Sequence, residues 1–175
     1  MTKVPLELVK DLRNMTSASI EACRKALHDA GGNLEKAATL IKERGLEIAA
    51  KKHGRVAHEG RVEAYVHMGN KVGVLLEVNC ETDFVARNPE FIQFTKDVAM
   101  QITALNPAYI KKEDVPQDAL EKEKDKAQFY KAHCLLEQSF VKDPSMTIND
   151  YMVGLVAKFG ENISIRRFTR FKIGE

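Results

Sequence analysis

The sequence predicts an α+β protein in which a three-helix module precedes a core of small antiparallel β-sheet flanked by helices. Apolar residues recur at steps of three and four, between capping residues, across 1–45. Beyond residue 60 the period changes to two, around a Gly69-Asn70 turn. A length of 175 residues suffices for one good core and a small second module. We therefore expect a module at 1–45, a linker at 46–60 and a core at 61–175.

Capping and stop residues divide the first module into three short helices. The first helix starts at Pro5. Thr16 or Ser17 caps the second helix, which Gly31-Gly32 terminates. Asn33 caps the third helix, which we expect to end before Gly45. The polar, glycine-punctuated stretch that follows is interpreted as a linker, helical at most at its beginning.

Three strands are predicted in the core. Residues 61–66 alternate in polarity, and Val72 to Cys80 is nearly continuous in apolar residues, which is typical of a central strand. The last strand spans Asn162 to Ile173, and its alternation predicts one covered face that includes Phe171.

Two longer helices are expected to pack on this sheet. Asn88-Pro89 starts the first, and Asn106-Pro107 ends it. Thr147 caps the second, which Gly160 closes. The face of the first helix that should enter the core carries Phe91, Phe94, Val98 and Ile102.

Charge and the amino-terminal residues restrict the partners and the location. The formal net charge of +2 is too small for strong, sequence-independent attraction to a phosphate backbone, so no direct nucleic-acid partner is expected. The first residues carry no apolar signal core and no transit-peptide composition. We expect a cytoplasmic protein that does not contact membranes.

Cysteine and histidine spacing gives no metal or disulfide pattern. Cys23, Cys80 and Cys134 are odd in number and far apart, so we expect reduced and mostly buried thiols. The histidines of the 53–67 stretch lack carboxylate or cysteine neighbours at ligand spacing. We predict neither a metal site nor a cofactor.

The usual signatures of enzymes are also missing from the sequence. It contains no phosphate-binding loop, dinucleotide fingerprint, nucleophile elbow or zinc-binding helix motif. Catalysis of a covalent reaction is therefore the weaker hypothesis, and we assign no catalytic residue. The basic, aromatic stretch from Arg166 to Phe171 resembles single-stranded RNA platforms, which leaves an RNA-binding protein as an alternative.

A short segment between a buried strand and a helix start is unusual. Glu81 to Arg87 lies where loops are usually exposed, yet it contains Phe84 and Val85. By pattern alone Phe84 is predicted to be a core aromatic, because large aromatic side chains are buried more often than displayed.

The string from Glu77 to Asn88, EVNCETDFVARN, resembles the signature of the elongation factor Ts family. Essentially the whole chain shares this resemblance. The further matching segments are LVKDLR at 8–13, CRKAL at 23–27, AAKK at 49–52, LLEQSFVKD at 135–143, GENI at 160–163 and RRF at 166–168.

The resemblance implies a translation elongation factor that exchanges nucleotide on the GTPase elongation factor Tu, in its GDP-bound and nucleotide-free forms. It implies a ubiquitin-associated-like three-helix module that binds the GTPase. The residues of this module expected at the partner are Leu12, Met15, Thr16 and Ile20. It also implies an exchange segment that enters the GTPase beside its magnesium site, formed by Thr82, Asp83, Phe84 and Val85.

Two departures from the family pattern stand out. Many relatives carry a longer helical excursion where residues 125–128 here bridge directly, and Ser139 replaces a usual proline. Compact relatives can self-associate through their cores, so a homodimer or a two-plus-two complex is a further expectation. Besides the RNA-binding alternative, an adaptor whose three-helix module docks a helix or peptide stays open.

Overall fold

The computed structural model describes residues 4–16, 18–121 and 123–175. Two 3₁₀ turns, at Lys112–Asp114 and Leu135–Glu137, accompany the helices and strands. In chain order the elements are α1 (Leu6–Thr16), α2 (Ile20–Asp29), α3 (Leu34–Lys52), β1 (Glu59–Val66), β2 (Val72–Cys80), α4 (Asp83–Ala86), α5 (Pro89–Leu105), α6 (Gln117–Glu121), α7 (Lys126–His133), β3 (Ser139–Phe140), β4 (Asp143–Thr147), α8 (Ile148–Phe159) and β5 (Ser164–Lys172). The predicted α+β class is confirmed.

The chain divides into two compact units. One holds the described residues up to Arg55 together with Val153–Asn162. The other holds Val56–Met152 and Ile163–Glu175. Independent folding of 61–175 stays a prediction.

The first unit contains the predicted three helices. They bury one apolar cluster, and Asn33 caps α3 by accepting a hydrogen bond from the Lys36 amide at 2.9 Å. The cap of α2 is Ser19, because Thr16 still belongs to the last turn of α1, and Ser17 lies outside the described residues. The cluster consists of Val9, Leu12, Cys23, Ala26, Leu27 and Ala37.

The prediction that the third helix ends before Gly45 is wrong, since α3 continues to Lys52. Gly45 is buried, and a methyl group placed on it would lie 3.4 Å from Val153 Cγ1 and 3.7 Å from Ala157 Cβ. The second half of α8 thus packs on this position of α3. Glycine here permits a close helix contact, and the tertiary packing outweighs its low helix propensity. The first part of the expected linker at 46–60 is therefore helical, up to Lys52.

The second unit is built on an antiparallel sheet with the strand order β1-β2-β5. The prediction of β2 as the central strand is confirmed. The hairpin turn has positive φ angles at Gly69 and Asn70, as its residue types indicated. Helix α5 packs against β1 and β2, and the predicted face from Phe91 to Ile102 is fully buried.

A β-bulge reverses the predicted faces of β5. Ile165 pairs with Val78, but Glu77 pairs with Arg167, so Arg166 is an extra residue in the ladder. Beyond the bulge the alternation shifts by one, which turns Phe171 outward although it was expected on the covered face. Phe168, two residues past Arg166, is half-buried.

Polar groups complete the covered side of this unit. Glu63 is buried in β1, and its carboxylate accepts hydrogen bonds from Arg61 Nε at 2.8 Å and from Thr95 Oγ1 at 3.2 Å. Gln101 of α5 is also buried, and it binds the backbone of the short β3–β4 hairpin, which the sequence did not indicate. These buried polar side chains are hydrogen-bonded, as burial requires.

Candidate functional site

The segment between β2 and α5 folds into the single helical turn α4. Its N-cap residue is Thr82, whose carbonyl accepts hydrogen bonds from Ala86 N at 3.2 Å and from Cys80 Sγ at 3.1 Å. Asn88 then caps α5 and accepts from the Glu90 amide at 2.9 Å. Hydrogen bonds therefore fix α4 between the end of the central strand and the start of the core helix.

Two adjacent residues of α4 have opposite environments. Val85 is 8% exposed, and α4 packs against β1, β2 and α5. Phe84 is 83% exposed. The pattern-based prediction of Phe84 as a core aromatic is therefore wrong. A one-turn helix can bury only one side, and Val85 is the residue that it buries.

The charged residues of α4 lie at its two ends. Asp83 begins the turn, and Arg87 follows its last residue. Their side chains form an ion pair with 3.1 Å between Asp83 Oδ2 and Arg87 Nη2. Arg87 was not among the functional residues expected from the sequence, although the spacing of four residues on a helix is a recognisable signal.

The expected partner-binding residues of the first unit fall into two groups. Met15 and Ile20 are exposed apolar residues on α1 and α2. Leu12 is fully buried in the apolar cluster. Thr16 is half-buried and donates a hydrogen bond to the Leu12 carbonyl at 2.7 Å. Leu12 and Thr16 therefore belong to the framework that carries Met15 and Ile20.

A second apolar surface lies on the side of the sheet away from α5. We call it the open sheet face, formed by Val62 and Val66 of β1, Leu75 of β2 and Phe171 of β5, all exposed. The alternation of Val62 and Val66 with Glu63 is visible in the sequence. From polarity alone, the valines would face the core and Glu63 would face solvent, whereas the structure has the reverse.

The basic residues of β5 are largely paired with carboxylates. Arg167 Nε donates to Glu77 Oε2 at 2.6 Å, and this bond is the main cause that lowers the pKa of Glu77. Arg170 and Lys172 both bind Glu175, at 2.8 and 2.7 Å. Glu77 and Glu175 thus offset two of the four positive charges of β5.

The described residues offer little for metal or membrane chemistry. Across 4–16, 18–121 and 123–175, no three His, Cys, Asp or Glu side chains gather into a potential metal site. In the same part of the chain, no helix is long and apolar enough to cross a membrane. Cys23, Cys80 and Cys134 are free and buried, as predicted.

The family model described as "Elongation factor TS" matches residues 3–128 and 125–175. The chain belongs to the elongation factor Ts family. This is a family of translation elongation factors, and the first matched range includes the exposed Phe84. The two matched ranges meet at 125–128, where the sequence indicated a shortening.

Individual relatives give the same result. The "Elongation factor Ts" of Caldanaerobacter subterraneus subsp. tengcongensis is 49% identical over 195 aligned residues, covering 98% of each chain. That of Desulfitobacterium hafniense is 49% identical, covering 100% of this chain and 91% of the relative. That of Finegoldia magna is 45% identical, covering 100% and 92%. The alignments exceed the 175 residues of this chain, which agrees with a segment missing here.

Proposed function

We propose that this protein is a guanine-nucleotide exchange factor that binds elongation factor Tu·GDP and promotes the release of GDP. The observation that carries the proposal is the exposure of Phe84 on a turn anchored by the buried Val85. A phenylalanine displayed on a fixed turn is suited to insert into another protein, because little conformational freedom is lost on docking.

The exchange segment acts through the surroundings of the bound nucleotide. A GTPase holds GDP with backbone amides around the phosphates and with a magnesium ion that neutralises their charge. Phe84 enters between helices of the partner as an apolar wedge, while Asp83 rearranges polar groups near the phosphate loop. Displacing the surroundings of the ion weakens both sets of contacts, and no covalent bond is made or broken.

The first unit supplies the grip on the GTPase domain. Met15 and Ile20 provide the exposed apolar contacts, and Leu12 and Thr16 hold the two helices that present them. Apolar side chains that are exposed in the free protein and buried in a complex stabilise that complex. The grip keeps the exchange segment at the partner long enough for nucleotide to leave.

Linkage fixes the thermodynamics of the cycle. If the protein lowers the affinity of elongation factor Tu for GDP, then bound GDP lowers the affinity of elongation factor Tu for the protein by the same factor. Binding of GTP afterwards ejects the protein, which is ready for another round. Acceleration is therefore expected at substoichiometric concentration, although the protein is not an enzyme in the covalent sense.

The open sheet face favours a second copy of the chain as a further partner. Its apolar side chains come from all three strands, and a depression of about 270 Å³ is lined by Val62, Leu75 and Thr169, among others. Two sheet faces with exposed apolar side chains can stack as in a β-sandwich. We propose a homodimer through this face, which leads to a two-plus-two complex with the GTPase.

The RNA-binding alternative has less support. Cationic side chains that already pair with carboxylates release fewer counterions on binding a phosphate backbone, so they contribute less affinity. An adaptor that uses only the three-helix module would leave the exposed Phe84 without a role. Neither alternative accounts for α4.

The experiment is release of a fluorescent GDP analogue from elongation factor Tu after addition of this protein. We expect faster release at substoichiometric concentration, and excess GDP should dissociate the complex. Unchanged release would contradict the proposal. RNA affinity that falls steeply with salt, without any effect on GDP release, would favour the alternative.

A further inference from the structure

We propose that Arg87 is a positioning residue for nucleotide exchange, which holds the Asp83 carboxylate beside the exposed Phe84 ring while α4 docks. The inference rests on the proposed function and adds a residue to its machinery. Arg87 itself is not assigned a contact with nucleotide or magnesium.

The geometry joins the same two residues twice. The Asp83 carbonyl accepts the Arg87 amide at 3.0 Å, and the Asp83 carboxylate binds the Arg87 guanidinium at 3.1 Å. The bridged turn is the one that carries Phe84. The guanidinium thus restricts the Asp83 side chain. Helix α4 is only one turn long.

The free protein gains little stability from this pair. The side chains are 81% exposed at Arg87 and 43% exposed at Asp83, so water screens the attraction. Val85 and the backbone hydrogen bonds already hold α4 against the sheet. A purely structural role therefore predicts almost no effect of removing the guanidinium.

Docking makes the attraction between Asp83 and Arg87 more important than it is in the free protein. Contact with a partner removes water from around Asp83, and an unpaired carboxylate is then costly to desolvate. The phosphates of a bound nucleotide would also repel it. With Arg87 in place the turn presents a neutral, oriented pair, so the contribution of the pair arises in the complex rather than in the free protein.

The test compares Arg87→Met, which keeps most of the side-chain volume, with Arg87→Lys, which keeps the charge. Arg166→Met, at another exposed arginine of the same unit, is the control for net charge. GDP release from elongation factor Tu is measured against exchange-factor concentration to separate the maximal rate from the half-saturating concentration. Thermal melting monitors the fold.

We expect Arg87→Met to melt like the original protein and to lower the maximal release rate by about tenfold, since one partner of a desolvated pair is lost. Arg87→Lys should keep most of the rate, and Arg166→Met all of it. Asp83→Asn combined with Arg87→Met should lose less than the product of the two single losses.

Two results would overturn the inference: an Arg87→Met rate within about twofold of the original, or multiplicative single losses. Failure of the proposed function is distinguishable, because the unmodified protein would then not accelerate GDP release at all. If Phe84→Ala slows GDP release and Arg87→Met does not, the role of Arg87 is refuted while the proposed function stands.

Discussion

At the scale of single residues, burial separates side chains that hold the protein together from side chains available to a partner. In the first unit, Leu12 is fully buried, whereas Met15, three positions along α1, is exposed. The family resemblance assigned both to the same contact with the GTPase. The structure gives them different tasks, which substitution can separate.

Leu12→Ala should destabilise the first unit by about 2–5 kcal/mol, because it leaves a cavity in the apolar cluster. Met15→Ala should change stability by less than about 0.5 kcal/mol, since its side chain already faces solvent, but it should weaken binding to elongation factor Tu. Chemical denaturation and a binding titration check both variants. Equal stability of the two variants would contradict the assignment.

Glu77 allows a prediction on pH. Chiefly through its hydrogen bond from Arg167, its pKa lies below the ordinary value of 4.5 in the folded protein. A depressed folded pKa stabilises the fold above the unfolded value, and this contribution is lost as pH falls below 4.5 through the folded value.

The stability advantage of the original protein over Glu77→Gln should therefore shrink as the pH is lowered from about 6 to about 3. Because the pair is exposed, the advantage itself is small. Denaturation at several pH values measures it. An advantage that stays constant over this range would contradict the role of the ion pair.

Among the elements, the bulge in β5 decides which residues of that strand lie on the open sheet face. Without the extra residue Arg166, Phe171 would point towards α5. With it, Phe171 is 70% exposed and lies with Val66 and Leu75 on the other side. One inserted residue thus adds Phe171 to the surface proposed to bind a second copy.

Phe171→Ser should leave folding stability nearly unchanged and should abolish self-association, because it removes apolar area only from the open sheet face. Phe168→Ser is the matched control on the covered side, and it should lower the melting temperature. Analytical ultracentrifugation and thermal melting distinguish them. A Phe171→Ser variant that remains dimeric would contradict the proposed interface.

The bulge also shows why sequence predicted part of this fold and missed the rest. Local signals identified β2, the Asn33 cap and the turn at Gly69, since each depends on residues next to one another. The bulge depends on pairing with a distant strand, and Gly45 stays helical because α8 packs on it. For Phe84, only the family resemblance suggested the exposure that α4 produces.

At the scale of the whole molecule, the two compact units share a chain that crosses between them more than once. The first unit includes Val153–Asn162, which follows the first residues of α8. Removing the amino-terminal helices therefore strips this segment of its packing around Gly45. A cut at residue 45 would also divide α3.

A chain beginning at Val56 should still fold cooperatively around the sheet, because α5 and the three strands of the second unit remain. It should melt at a lower temperature than the full chain and exchange nucleotide weakly, since the grip is gone. Calorimetry and GDP release measure both properties. Loss of a cooperative transition would refute independent folding, and undiminished exchange would refute the grip.

We propose above that the exposed Phe84 contacts a partner, and we expect that it does not stabilise its own protein. The measurement that tests this is GDP release from elongation factor Tu with Phe84→Ala. Thermal melting shows whether the variant is folded at the assay temperature, and equal concentrations of folded protein are compared. Val85→Ala is the control, expected to lose about 2 kcal/mol of stability because its side chain is buried. We predict that Phe84→Ala melts like the original protein and releases GDP far more slowly. A large drop in melting temperature, with exchange preserved in the folded fraction, would show instead that Phe84 stabilises its own protein and is not needed for exchange.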